Sequence, residues 1–195
     1  MDINKALKKQ KKSYRNFVLF MLTLFFLLPL FLFIYKRYNT FFIAYLLAIE
    51  IMIVAAIIMK ISTEKLYFKC DGYKLNIKQG IFKEKYCIIC DKVFLVCLEG
   101  KEKFDIILIT DSRFRTNSIR RVSREFIHEH NYLSDSYERL REQYPEKDFY
   151  YIIIKNGMYE KYQLLDLIYS NCVRAFYTEN SIEKIKEYRN QIKKE

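Results

Sequence analysis

The chain has 195 residues, 51% of them apolar and 17% aromatic, with only four glycines and two prolines. That composition excludes collagen-like, linker-rich and low-complexity classes, and it excludes disorder over most of the length. The net charge of +11 is unevenly placed, with +5 in residues 1–16, +2 in residues 17–60 and +4 in the rest, a pattern of membrane topology more than of nucleic-acid binding.

Residues 17–35 hold no charge and contain seven Leu and six Phe. As a helix they reach roughly 28 Å, close to the hydrocarbon thickness of a bilayer. Their apolar side chains favour insertion by roughly 5–9 kcal/mol. Pro29 kinks such a helix in a way that bilayers tolerate. The run is longer than the apolar region of a signal peptide and no A-x-A site follows it, so the sequence predicts a retained span.

Residues 41–59 predict a second span, with Glu50 at its centre. A carboxylate there costs on the order of 3 kcal/mol. Eleven Phe, Ile, Leu and Val side chains return roughly 3–7 kcal/mol, so insertion wins. Glu50 is a candidate proton, ion or partner contact. The alternative is a tolerated, protonated carboxyl facing the first helix near Thr23. The five-residue link Lys36-Arg37-Tyr38-Asn39-Thr40 forces an antiparallel hairpin. Six basic residues precede the first span and Lys60, Lys65 and Lys69 follow the second, whereas the link holds two. The heavier flanks belong in the cytosol. The expectation is a basic cytosolic N-terminus (1–16), a transmembrane hairpin (17–59) and a cytosolic domain (61–195), both termini inside.

Cys70, Cys87, Cys90, Cys97 and Cys172 are an odd set, unsuited to a full disulfide framework, and cytosolic thiols stay reduced. Cys87-Ile-Ile-Cys90 has metal-type spacing, but on a strand the pair points to opposite faces. Buried structural thiols are the expectation.

From Leu66 the pattern has period two. Leu66, Phe68 and Cys70 alternate, Asp71-Gly72 signals a turn, and Tyr73, Leu75 and Ile77 alternate up to Gly80. Residues 85–89, 93–98 and 104–110 predict further strands, Glu99-Gly100-Lys101 a turn, and together an antiparallel meander. Residues 113–143 break the rhythm. Residues 133–144 predict a helix with Ser134 as cap, stopped by Pro145. Residues 149–155 predict a strand, Asn156-Gly157 a hairpin turn, and 162–167 and 172–177 two more strands. Asn180 or Ser181 can cap a last helix, whose Ile182, Ile185, Tyr188 and Ile192 form one apolar stripe. Ile77-Lys78-Gln79-Gly80 and Ile154-Lys155-Asn156-Gly157 are alike, as are the residues that follow each.

The stretch LYFKCDGYKLNIKQGIFKEKYCIICDKVFLV at 66–96 resembles the bacterial pleckstrin-homology-like domain of membrane-anchored proteins. Members read as strand, turn, strand ending in Gly, then a strand leading to a short corner. Here Ile89-Cys90-Asp91-Lys92-Val93 stands at that corner, with Cys90 where Pro is common. The resemblance implies an α+β membrane protein: a two-helix hairpin, then a bent antiparallel sheet or partial barrel plugged by a C-terminal helix. Residues 111–148 fall outside it as an insertion. It implies no enzymatic activity and no cofactor.

Arg113, Arg115, Arg120, Arg121 and Arg124 put five guanidinium groups within twelve residues. Arg forks suit phosphate, and a polybasic segment gains about 1 kcal/mol per residue at an anionic leaflet. The bland alternative is a solvated face paired with Asp111, Glu125 and Glu129. Nucleic acid is disfavoured as a partner, since the last 135 residues carry only +4. His128-Glu129-His130 lacks a third metal ligand, and no nucleophile elbow, phosphate loop or H-E-x-x-H occurs. The reading is therefore a non-catalytic, membrane-anchored module for contact with protein or anionic lipid headgroups, its partner being a membrane protein or a second copy of the chain. Alternatives are a small channel or transporter subunit using Glu50, or protection against membrane-active toxins.

Overall fold

The computed structural model describes residues 3–35, 39–80, 85–100, 104–112 and 119–193. Helix α1 (Ile3–Tyr35) starts fourteen residues before the apolar run and contains Pro29. Helix α2 (Thr40–Glu64) follows. The two run antiparallel. The Lys60 ammonium lies 5.6 Å from the Phe17 ring and the Lys65 ammonium 5.8 Å from the Tyr14 ring. At the other end Leu28 and Phe42 line one groove.

Both helices are long and apolar enough to cross a membrane. A soluble protein's core helix would be mostly buried. In the most apolar part of α1 nothing is buried, and in that of α2 only 6% is. Phe26 is 69% exposed and Met52 71%.

After α2 the fold is mixed α+β. Strands β1 (Leu66–Asp71), β2 (Lys74–Gln79) and β3 (Lys85–Ile89) form one antiparallel sheet. Asp71-Gly72 makes the first turn, with Gly72 at φ +70. A 3-10 turn at Cys90–Lys92 then carries the chain out of this sheet. Strands β4 (Val93–Glu99), β5 (Asp105–Thr110), β6 (Arg120–Arg121), β7 (Tyr150–Ile154) and β8 (Phe176–Tyr177) make a second sheet in the order β6-β7-β5-β4-β8. The first five strands fall where the sequence pattern predicts them. The single meander does not, because the corner divides them between two sheets.

Helices α3 (Arg124–Glu129) and α4 (Ser134–Gln143) cover one face of the second sheet. There Phe126, Leu133, Leu140 and Phe149 pack on Phe94, Cys97, Ile107 and Ile109. The part of 111–148 that is described thus supplies a whole layer. The other face meets the first sheet, helix α5 (Glu160–Asn171) and helix α6 (Glu179–Ile192). Val96, Leu98, Ile106 and Leu108 share that core with Leu75, Ile77, Ile88, Leu165, Ile168 and Ile185. Burial on both faces explains the near-continuous apolar runs of β4 and β5, whereas β2 and β3 alternate.

Five local readings are corrected. Residues 162–167 lie inside α5, not in a strand, and Asn156-Gly157 leads into that helix instead of turning a hairpin. Of 172–177 only Phe176 and Tyr177 are strand, pairing parallel with β4. Ser134 is the first residue of α4, not its cap. Leu133 holds the cap position without a side-chain bond, and the Ser134 hydroxyl donates to Glu138 at 3.3 Å. The last helix is preceded by Thr178 rather than by Asn180 or Ser181. Its stripe buries Ile185 and Tyr188 but leaves Ile192 exposed.

Candidate functional site

Three places hold polar or charged groups in an arrangement with a use: the joint where the helices enter the domain, a cleft lined by arginines, and Glu50.

At the joint, the last turn of α2 passes into β1 between two glycines. The Gly80 amide donates to the Lys65 carbonyl at 2.9 Å and the Gly157 amide to the Thr63 carbonyl at 3.1 Å. The Asn156 side chain donates to the Ser62 carbonyl at 2.8 Å. An added Cβ at Gly80 would lie 2.4 Å from Ser62 Oγ, and one at Gly157 2.5 Å from Leu66 Cβ. The two look-alike stretches, ending in Gly80 and Gly157, thus clasp one passage from both sides. Gln79 is 1% exposed and ties them together. Its Nε2 donates to the Ile153 carbonyl at 2.9 Å, and its Oε1 accepts from the Lys155 amide at 3.0 Å and the Asn156 amide at 3.4 Å.

Glu160 accepts from the Leu66 amide at 3.1 Å, and burial pushes its carboxyl above the usual range. Burial pushes the neighbouring Lys161 ammonium down; Asp105 at 3.0 Å and the Lys155 carbonyl at 2.8 Å hold it. Helix α1 joins the same assembly. Ile3 and Leu7 are buried in the domain core. Gln10 Oε1 accepts from the Tyr159 amide at 3.3 Å, and the Ile3 amide donates to Gln191 Oε1 at 2.6 Å. The sequence reading of residues 1–16 as a basic segment missed this docking. Its signal is the 3, 7, 10, 14 spacing of Ile3, Leu7, Gln10 and Tyr14, which makes one helical stripe among the lysines.

Of the five clustered arginines, Arg113 and Arg115 lie outside the described residues. Arg120 and Arg121 form β6 and Arg124 opens α3. Arg121 and Arg124 line a cleft of about 360 Å³ with Arg141, Ser123, Tyr137, Glu138 and Asp148. Arg120 is exposed beside it. Arg121 is hydrogen-bonded to Asp148, and Arg141 Nη1 donates to the Lys147 carbonyl at 2.7 Å. Burial raises the Tyr137 phenol against the pull of Arg141 and Arg121. Arg141 was not among the sequence candidates. Its i, i+4 relation to Tyr137 on the predicted helix is the signal that places it there. With three guanidinium groups and two carboxylates the cleft can exchange an internal acid for an incoming one. It lies on the α3–α4 face, and β6 pairs with Tyr150 and Tyr151. Asn156, at the joint, is six residues further along the chain from Tyr150, roughly 20 Å if extended.

Glu50 borders an apolar groove of about 290 Å³ with Phe25, Leu47, Ile51 and Val54. Among the described residues its carboxyl has no hydrogen-bond or ion-pair partner. The Thr23 hydroxyl instead donates to the Leu19 carbonyl at 2.9 Å, so the pairing within the hairpin that the sequence suggested is absent among the described residues.

The Cys90 thiol is buried in the corner and interacts with both Cys70 and Cys172. Cys87 stays on the other side of β3, half-buried. Among the described residues no group of three His, Cys, Asp or Glu converges as metal ligands. His128 is exposed and His130 bonds Glu99 at 3.1 Å. Burial first, then Cys90 and Asp71, push the Cys70 thiol up to about 11. Alkylation of Cys70, followed by mass spectrometry, is expected to keep accelerating from pH 9 to pH 11, where an ordinary thiol of pKa 9.0 levels off.

Compared with known proteins, the chain matches no protein-family model, no curated protein and no solved structure.

Proposed function

We propose that this is an integral membrane protein whose hairpin anchors a non-catalytic, pleckstrin-homology-like module on the cytosolic face, where the arginine cleft docks an acidic segment of a protein partner. The observation that carries the reading is the hairpin itself. Two helices of 33 and 25 residues expose apolar side chains nearly all round, yet are hydrogen-bonded into a complete domain. Apolar surface on that scale is stable only in lipid or under a partner. The basic residues of α1, Lys60 of α2 and Lys65 just after it flank the apolar parts on the side of the domain, as a cytosolic domain requires.

The pleckstrin-homology-like reading is supported by the turn at Cys90–Lys92, where the resemblance puts its corner, and by α6 packed on the sheet. The intervening α5 departs from it. A protein partner is favoured over the anchoring membrane's own headgroups by the place of the cleft, on the α3–α4 face and far along β7 from the joint.

The test uses the full chain in nanodiscs and a fluorescent glutamate-rich peptide. Binding is expected to weaken with salt and to fall roughly tenfold in the Arg121→Ala/Arg124→Ala double variant, as for a lost charge pair at an interface. Exchanging neutral for anionic lipid is expected to change nothing but background. Absent peptide binding, with arginine-dependent binding of anionic vesicles instead, would replace the protein partner by lipid.

A further inference from the structure

We infer that Glu50 is the centre of a self-association surface, at which a second copy of this chain presents its own Glu50. The inference rests on the bilayer reading of α1 and α2.

Glu50 stands ten residues after Thr40 and fourteen before Glu64 in α2. In a spanning helix that is roughly 15 Å from one end, near the middle of the hydrocarbon. Lipid tails offer no hydrogen bond, and a polar group left unpaired there is costly. The described residues of the hairpin do not supply the missing partner. Its nearest surroundings are Phe25, Leu47, Ile51 and Val54, and the Thr23 hydroxyl is taken by its own helix. The partner must come from outside the hairpin.

A carboxyl in hydrocarbon is cheapest in its uncharged form, and that form carries one donor and one acceptor. Two such carboxyls related by a two-fold axis satisfy each other completely. The group is thus self-complementary, which is what an isologous contact needs. Each further copy in the membrane carries the same unpaired acid at the same depth. The surface beside it suits a helix. Leu47, Ile51 and Val54 are exposed and lie on the Glu50 side of α2.

The experiment follows energy transfer between donor- and acceptor-labelled full-length protein in liposomes as lipid dilutes it. Wild type is expected to associate. Glu50→Leu should weaken association roughly tenfold or more, because two interhelical hydrogen bonds are lost. Glu50→Gln should keep most of it, because a carboxamide also carries donor and acceptor. Tyr45→Leu, on another side of α2, should change nothing. Loss in Glu50→Leu cannot be blamed on poor insertion, since leucine favours the bilayer more than glutamate does. Equal association of wild type and Glu50→Leu overturns the inference, and so does a monomeric wild type that resists alkaline extraction from the membrane. A wild type that alkaline carbonate releases overturns the bilayer reading as well, and that readout keeps the two failures apart.

Discussion

Gly157→Ala is expected to destabilise the folded protein by about 2–5 kcal/mol, the sum of backbone strain and overpacking. Gly157 has φ +103, a conformation that side chains of L-residues rarely adopt. Its would-be Cβ meets Leu66 Cβ at 2.5 Å and Leu66 Cδ2 at 2.7 Å. Leu66 is itself buried where α2 becomes β1, so relief requires moving the junction. Gly72→Ala is the matched control. It has φ +70 with nothing within 4 Å of the added carbon, so it should lose only about 1–2 kcal/mol of backbone strain. Chemical denaturation of the detergent-solubilised variants measures both. Similar losses in the two would mean that the close approach at the joint carries no energy.

Gln79→Leu is expected to cost about 1–3 kcal/mol, because the buried Gln79 amide gives up its bonds to the part-buried Lys155 amide and Ile153 carbonyl. The shape of the side chain is roughly kept, so little of the loss would come from a cavity. Gln79 ends β2 and bonds to β7 and its continuation, the one in the first sheet and the other in the second. Hydrogen exchange should therefore rise first in β1–β3, while amides of β4 and β5 keep their protection. Uniform exchange in all strands would mean that the two sheets do not separate at this bond.

The way these residues read in the sequence follows from the range of the forces involved. β1 to β3 were legible because alternating apolar positions, Asp71-Gly72 and Gly80 are local signals, and β4 and β5 because an unbroken apolar run is one too. The α1 and α2 apolar runs were legible for the same reason. Asn156-Gly157 was misread because its hairpin signal is also local, whereas the use of Gly157 is set by Leu66, ninety-one positions earlier. The α5 helix was missed because 162–167 is too short a window. Extended to Cys172, the buried Tyr162, Leu165, Ile168 and Cys172 fall at spacings of 3, 3 and 4, the helical period. Two of the five clustered arginines line a surface that β6 and α3 do form. Their partner Arg141 comes from α4, and no contiguous motif could have joined it to them. Glu50 was visible at once, but its lack of a partner among the described residues follows only from how the hairpin packs.

The anchoring hairpin is tested most directly by fractionation of cells expressing the full chain. After an alkaline carbonate wash and ultracentrifugation the protein should remain in the membrane pellet and enter the supernatant only with detergent. Its recovery in the carbonate supernatant, as a monodisperse species without detergent, would contradict the account.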